Sequence, residues 1–425
     1  MTFNDYFHML KRRSRTALRY ARDYGVRATL ALIWQKYRCP NGRIISNGGL
    51  TGGLLSKRRV IEFYDFVRAR PVGSPIQAGS VQRTTVNWVV PPWGFGSGGH
   101  LNIFRFVHYL EQEGFDCRIV VVGEPQPLSS EQACKQINDW FFALRGEVYL
   151  GIDSAPPAHI TIATSWTTAY YVRAFQSTVH RCYFVQDFEP YFYAAGAEYA
   201  WAEETYRFGF FGITAGTWLK EKLAIEYGMR TEAFGFSFDS DLYTQRKRRE
   251  PEIRRVFFYA RPPTERRAFQ MGMLVLDEVT RRIPDVKVIF AGWDVSEYHI
   301  PYEHLNCGVV GLDELPDLYS QCDLALVLSF TNLSLLPLEL MACGTPVVSN
   351  RAPCTEWLLN DNNARLAAPT VEALADAVCT VLENPEEASR LRRGGFATAA
   401  TTDWRTEARK VGDILRRLDS QEDVI

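Results

Sequence analysis

No stretch of the chain reaches the roughly 18 uninterrupted apolar residues a membrane-spanning helix requires. The N-terminus also lacks the apolar core of a secretory signal. The chain has no Cys-x-x-Cys pair, and its nine cysteines are scattered from Cys39 to Cys379. That pattern argues against both a zinc ribbon and a disulfide framework and places the chain in a reducing compartment. There is almost no excess of charge, the formal net charge being -1. A global attraction to nucleic acid is therefore not expected. Together these absences predict a cytoplasmic globular protein. Its 425 residues, 46% of them hydrophobic and 23% charged, supply ample core for two to three domains at roughly 150 residues each.

Charge is uneven only at the start. Lys11, Arg12, Arg13, Arg15, Arg19, Arg22, Arg27, Lys36, Arg38 and Arg43 face only Asp5 and Asp23. Apolar residues at mixed three- and four-residue spacing make this a basic amphipathic segment, suited either to docking on its own protein or to peripheral contact with the inner face of the cytoplasmic membrane. The stretch from Asn41 to Gln82, rich in Gly, Ser and Arg, has linker composition.

From Val86 the pattern becomes regular. "VNWVV", the turn "PPWGFGSGGH", the helical "LNIFRFVHYLEQEG" and "CRIVVVG" predict a βαβ unit. Short strands at "ITIAT", "CYFVQ" and "FGFFGITA" extend it. After the charged run "YTQRKRREPEIRR", read as a solvated linker, the alternation restarts with "VFFYA", "VKVIFAG", "LALVLS" and "PVVSN" separated by helical segments. The fold class expected is α/β with two Rossmann-like domains: residues 1–82 as extension and linker, 83–245 and 246–400 as the two domains, and 401–425 as a last helix that fits on either.

Candidate chemistry starts at Gly94, Gly96 and Gly99, a G-x-G-x-x-G between strand and helix, followed by Glu124 after the next strand. By itself this permits a dinucleotide-dependent oxidoreductase. More generally it marks a backbone able to approach an anion at a helix start, with His100 beside it. In the second domain Arg261 lies just past a strand end, where α/β sheets bind ligands and where a guanidinium suits a diphosphate. Arg266 and Arg267 are read as surface charges. In "SFTNLSLLPLELMACG", Ser334 is the expected N-cap, Gly344 the stop, and Glu339 a carboxylate one turn inside the helix that needs a partner. Asp239 and Asp241 spell D-x-D, but two carboxylates alone make a weak Mg²⁺ site.

With these residues in view the chain resembles the retaining GT-B glycosyltransferases of the group 1 or family 4 kind, in which a Glu-x7-Glu signature precedes "MACGTPVV". Glu339 matches the second glutamate; Thr331 stands where the first is expected. The wording of "VVPPWGFGSGGHLNIFRF", "CYFVQDFEPYFY" and "FFYARP" is closer to bacterial rhamnosyltransferases that build cell-surface glycans from dTDP-β-L-rhamnose. The resemblance implies that Arg261 holds the diphosphate, Glu339 the ribose, and Gly292, Val310 and Leu312 the base. It further implies that backbone N–H groups of Asn332, Leu333 and Ser334 face the phosphates, and that Gly98, Gly99 and His100 close over them. Asp187, Glu189 and Tyr191 would meet a glycan acceptor, and Arg261, Glu339 and Asp187 would carry the reaction. No metal and no other cofactor is implied beyond the nucleotide-sugar donor. The missing first glutamate leaves a catalytically inactive glycan-binding or scaffold protein as the competing reading.

Overall fold

The computed structural model describes residues 59–68, 70–124 and 129–421. The basic segment and most of the stretch from Asn41 to Val60 lie outside them. Two parallel sheets organise the chain. The first has the strand order β3-β2-β1-β4-β5-β6-β7, comprising β1 (Thr85–Val90), β2 (Asp116–Val121), β3 (Val148–Leu150), β4 (Ala158–Ala163), β5 (Thr178–Val185), β6 (Phe211–Ala215) and β7 (Thr231–Phe234). The second has the order β10-β9-β8-β11-β12-β13, comprising β8 (Arg254–Tyr259), β9 (Val286–Ala291), β10 (His304–Asn306), β11 (Leu324–Val327), β12 (Val347–Asn350) and β13 (Ala364–Ala367). All the pairings within each are parallel.

Both sheets are covered by helices, which explains why β1 and β11 are mostly apolar: every residue of each strand is buried. In both sheets the strand order reverses beside the first strand, between β1 and β4 and between β8 and β11, and ligands in such folds bind at the carboxyl ends of the strands there. Helix α1 (Gly98–Gln112) starts just beyond β1, α6 (Phe269–Arg282) follows β8, α7 (Leu315–Ser320) precedes β11 and α8 (Leu336–Ala342) follows it. The helices between α1 and α6 are α2 (Ser130–Trp140), α3 (Trp166–Ala174), α4 (Ala197–Glu204) and α5 (Thr217–Tyr227); α9 (Pro353–Glu356), α10 (Val371–Glu383), α11 (Pro385–Ala400) and α12 (Trp404–Arg416) complete the chain.

The last helix, α12, returns to the first half. Trp404 meets Phe106 at 6.0 Å, and Glu407 accepts a hydrogen bond from the Gly235 N–H at 2.6 Å. An aromatic core explains the attraction, because Phe106, Phe184 and Phe234 already pack ring on ring at 4.7–5.1 Å and leave an apolar face to cover.

Two expectations change. Residues 64–68 and 70–72 are not a free linker: the Tyr64 hydroxyl donates to Glu198 at 2.9 Å, Phe66 stacks on Tyr171, and Val72 pairs with Phe175. Aromatic content, hidden among Gly and Arg, docks this stretch on the first half. The charged run after β7 is likewise pinned: Arg248 forks onto Asp323 with two contacts of 2.7 Å and Arg249 reaches Asp317 at 2.6 Å. Among the described residues no helix is long and apolar enough to cross a membrane.

Candidate active site

Strand β8 ends at Tyr259 and delivers Arg261 to the crevice, where its guanidinium donates to the Gly292 carbonyl at 3.3 Å and lies 6.0 Å from the rings of both Tyr259 and Trp293. Gly292 is needed there. Its φ is +103°, and a Cβ would stand 2.4 Å from the Tyr259 ring. The next turn is strained at Ala268, which has φ 49° and is, among the described residues, the one non-glycine with positive φ. That bend comes directly after Arg266 and Arg267, which turn inward rather than to solvent. Arg267 donates to the Ser329 hydroxyl at 2.6 Å and the Asn332 carbonyl at 3.2 Å. Arg266 lies 3.9 Å over the Phe192 ring, with its Nε 3.6 Å from an Asp187 oxygen and without a hydrogen bond.

The reading of Arg266 and Arg267 as surface charges is therefore corrected: with Arg261 they form a cationic cluster. Burial pulls both below the usual guanidinium range, and repulsion among the three adds to it. An anion placed among them would relieve both effects.

The loop after β11 crosses to the first half. Asp187 accepts from the Thr331 hydroxyl at 3.0 Å and from the Asn332 N–H at 2.8 Å, while the Asn332 amide donates to the Gln186 and Ala215 carbonyls at 3.0 and 2.8 Å. The N–H of Leu333 is taken by the Asn332 side chain at 3.1 Å. The backbone donors expected to face phosphate at Asn332 and Leu333 thus already have partners. Ser334 is not the N-cap either. Leu335 holds that position, and Ser334 accepts only a 3.4 Å contact from the Leu336 N–H. The far end of α8 is as expected: Gly344 is left-handed, and the Gly344 and Thr345 N–H groups return to the Met341 and Leu340 carbonyls at 3.0 and 2.9 Å, a Schellman stop.

Glu339 is half-buried close to the hydroxyls of Tyr243 and Tyr319, whose rings stack at 6.2 Å. Burial pushes its carboxyl up to about 7, with the tyrosines and Arg105 pulling the other way. Arg105, on α1 of the opposite half, is buried 4.4 Å over the Trp404 ring and bonded to Asn102 at 2.9 Å. Asn102 in turn contacts Gln186 at 3.3 Å. Sequence reasoning missed Arg105, Tyr243 and Tyr319, although an arginine inside the apolar run "NIFRFV" was a visible signal.

In the glycine-rich turn Gly96 requires its residue type, with φ +75°. A Cβ on Gly98 would meet nothing within 4 Å and opens onto free space, while one on Gly99 would touch Gln186 at 3.7 Å. His100 is held by Ser97 at 2.8 Å and the Pro91 carbonyl at 3.1 Å, and burial pushes it down to about 4, leaving it neutral. Glu189 is buried inside the first half, where it accepts from the Trp166 N–H at 2.8 Å and the Tyr183 hydroxyl at 2.9 Å; as a contact for an acceptor sugar it has no free oxygen. Tyr191 is 45% exposed beside Phe188. Val310 is half-buried and Leu312 exposed beyond β10. Asp239 and Asp241 sit exposed on the turn between the halves. A separate cavity of about 520 Å³, bounded by Gln245, Arg246, Lys247, Cys343 and Arg392, contains none of these groups.

Anabaena HepE, solved with UDP and glucose, superposes with a TM-score of 0.62 at 15% identity, covering 79% of this chain and all of that one. Sucrose-phosphate synthase from Thermosynechococcus elongatus superposes at 0.61 and 13% identity, covering 79% of this chain and 99% of that one. The chain has the GT-B fold. Within this GT-B chain, residues 254–379 match the family model of the WsaF C-terminal domain. In sequence it is 34% identical over 337 residues to the O-antigen biosynthesis protein RfbC of Myxococcus xanthus, covering 77% of this chain but 26% of that protein. The chain thus spans about a quarter of that relative's length.

Proposed function

We propose that the chain is a nucleotide-sugar glycosyltransferase of cell-surface polysaccharide assembly, transferring a sugar to a glycan acceptor with retention of configuration. The observation that carries this reading is the convergence of Arg261, Arg266 and Arg267 at the carboxyl end of β8, with Arg266 Nε lacking a hydrogen-bond partner. A leaving diphosphate gathers negative charge as the glycosidic bond breaks. Fixed guanidinium groups already in place stabilise that charge without rearranging in the transition state. Likeness to RfbC supports the glycan pathway, and likeness to HepE supports a nucleoside diphosphate ligand.

In this reading Glu339 exchanges a tyrosine hydroxyl for a ribose hydroxyl, Gly292 and Val310 border the base, and Gly98 and Gly99 leave room for the donor sugar. Tyr191 lies toward the acceptor, and Asp187 acts through the Thr331–Asn332 loop that it holds. The donor is dTDP-β-L-rhamnose: Thr331 supplies no carboxylate for the sugar, as fits a deoxy sugar with one hydroxyl fewer to hold. Incubating the purified chain with dTDP-L-rhamnose, UDP-glucose and GDP-mannose, each with lipid-linked and soluble glycan acceptors, tests the proposal. Transfer from the dTDP sugar with an unchanged anomer by NMR is expected. Transfer only from UDP-glucose would overturn the donor assignment, an inverted product would overturn retention, and no transfer from any donor would favour a glycan-binding scaffold.

A further inference from the structure

At the opposite end of the first sheet from the crevice, near the amino ends of β4 and β5, His159 and His180 stand on neighbouring strands with their rings 4.9 Å apart. Both are buried. Asp419, from the last turn after α12, reaches between them: one carboxylate oxygen lies 3.1 Å from His159 Nε2 and 2.7 Å from His180 Nε2. Its other oxygen is 3.2 Å from Arg83 Nε, which fixes the carboxylate plane. The glycosyltransferase reading uses none of these residues.

We propose that His159 Nε2, His180 Nε2 and Asp419 Oδ1 form a structural binding site for Zn²⁺ that fastens the C-terminal turn to the first sheet. The three atoms lie within 4.8 Å of one another. Tetrahedral zinc with arms of about 2.0–2.1 Å separates its ligands by about 3.3 Å. The two separations from Asp419 therefore need to open by about 0.2 and 0.6 Å, while the two histidine nitrogens, within 4.8 Å of each other, need to draw together as the ion binds. Two imidazoles and one carboxylate suit zinc and exclude Mg²⁺, which takes oxygen ligands. A carboxylate held by Arg83 supplies the outer contact that orients a metal ligand. A metal on His159 Nε2 would replace the hydrogen bond from that nitrogen to Asp419 and move the ring proton to Nδ1, which has no partner of its own. Asp419 is 27% exposed at its side chain, which leaves an entry path and a fourth position for water. The ligands are separated by 239 and 260 residues along the chain, so the metal would close a long loop.

The test uses the full chain, stripped with EDTA, dialysed against Zn²⁺ and then against buffer, with metal counted by mass spectrometry. Wild type is expected to retain one Zn²⁺ per chain more than Asp419→Asn and His180→Ala, and to bind Co²⁺ with the visible bands of a tetrahedral ion. Zinc but not Mg²⁺ should raise the melting midpoint of wild type by several degrees and leave that of Asp419→Asn unchanged. Asp419→Asn keeps the shape of a partly exposed side chain in the last turn, and circular dichroism checks its fold. Equal metal content in wild type and Asp419→Asn, or none in either, would overturn the site and leave the three side chains as a hydrogen-bonded clasp.

Discussion

The two halves share a topology but satisfy the charged groups at their facing strand ends differently. In the first half Glu189 and His100 find their partners locally: Glu189 in Trp166 and Tyr183, His100 in Ser97 and Pro91. In the second half three arginines crowd one strand end, and one buried Nε has no hydrogen bond. The first arrangement is what a stable core requires, since a buried polar group costs free energy unless it is paired. The second is uneconomical for folding alone and becomes sensible when an anion completes it. Charge-deficient packing in the second half therefore points to the ligand more directly than the glycine-rich turn of the first.

The sharpest way to break this contrast is to remove the cations. Arg261→Ala and Arg266→Ala should each lower kcat/KM about 10²–10³-fold, or about 3–4 kcal/mol, as for other groups that stabilise transition-state charge. Steady-state transfer assays on folded variants decide it, and losses under threefold in both would sink the diphosphate assignment. Next in size is the bridge between the halves. Asp187→Asn weakens the contacts to Thr331 and Asn332 and leaves Arg266 with less compensation, so about a tenfold loss in kcat/KM is expected, with a larger radius of gyration by solution scattering.

The matched glutamates give a smaller, pH-dependent test. Burial raises both Glu189 and Glu339 from near 4.5 to about 7. The folded state then holds more protons than the unfolded one between those values, so each group's contribution to stability is complete below about pH 4.5 and declines as pH rises through 7. Glu189→Gln and Glu339→Gln should each flatten the loss of melting temperature between pH 5 and pH 8, by about 1–3 kcal/mol at the upper end. Only Glu339→Gln should also weaken donor binding by calorimetry. Equal donor affinity in both variants would remove Glu339 from the ribose. The smallest effect belongs to His100→Gln: a histidine held neutral by burial should leave the pH profile of transfer between 6 and 8 unchanged.

Much of the fold was legible because long, doubly covered strands carry a strong apolar signal. "VNWVV", "VFFYA" and "VKVIFAG" all became interior strands. The three-residue strands β3 and β10, and the outer strands β7 and β13, escaped notice, since so few residues show no period. Arg261, Gly292 and Glu339 had legible places, just after strands or inside a helix that stops at Gly344, although their roles rest on the proposal. Arg266 and Arg267 did not, because the inward turn depends on Ala268 adopting a left-handed conformation that its sequence does not announce. Glu189 was misplaced for a related reason: an acidic residue among aromatics looks the same whether it faces a cleft or a core.

By itself the sequence determined two parallel α/β layers, their glycine stops and the strand ends that bear chemistry, all of which follow from local periodicity and turn geometry. Contacts between distant segments were decided by the tertiary structure alone. Only the folded chain brings Arg105 toward Glu339, lays Asp187 against Thr331, and sets Asp419 between two histidines, because such pairings depend on how packed elements meet in space and leave no period along the chain.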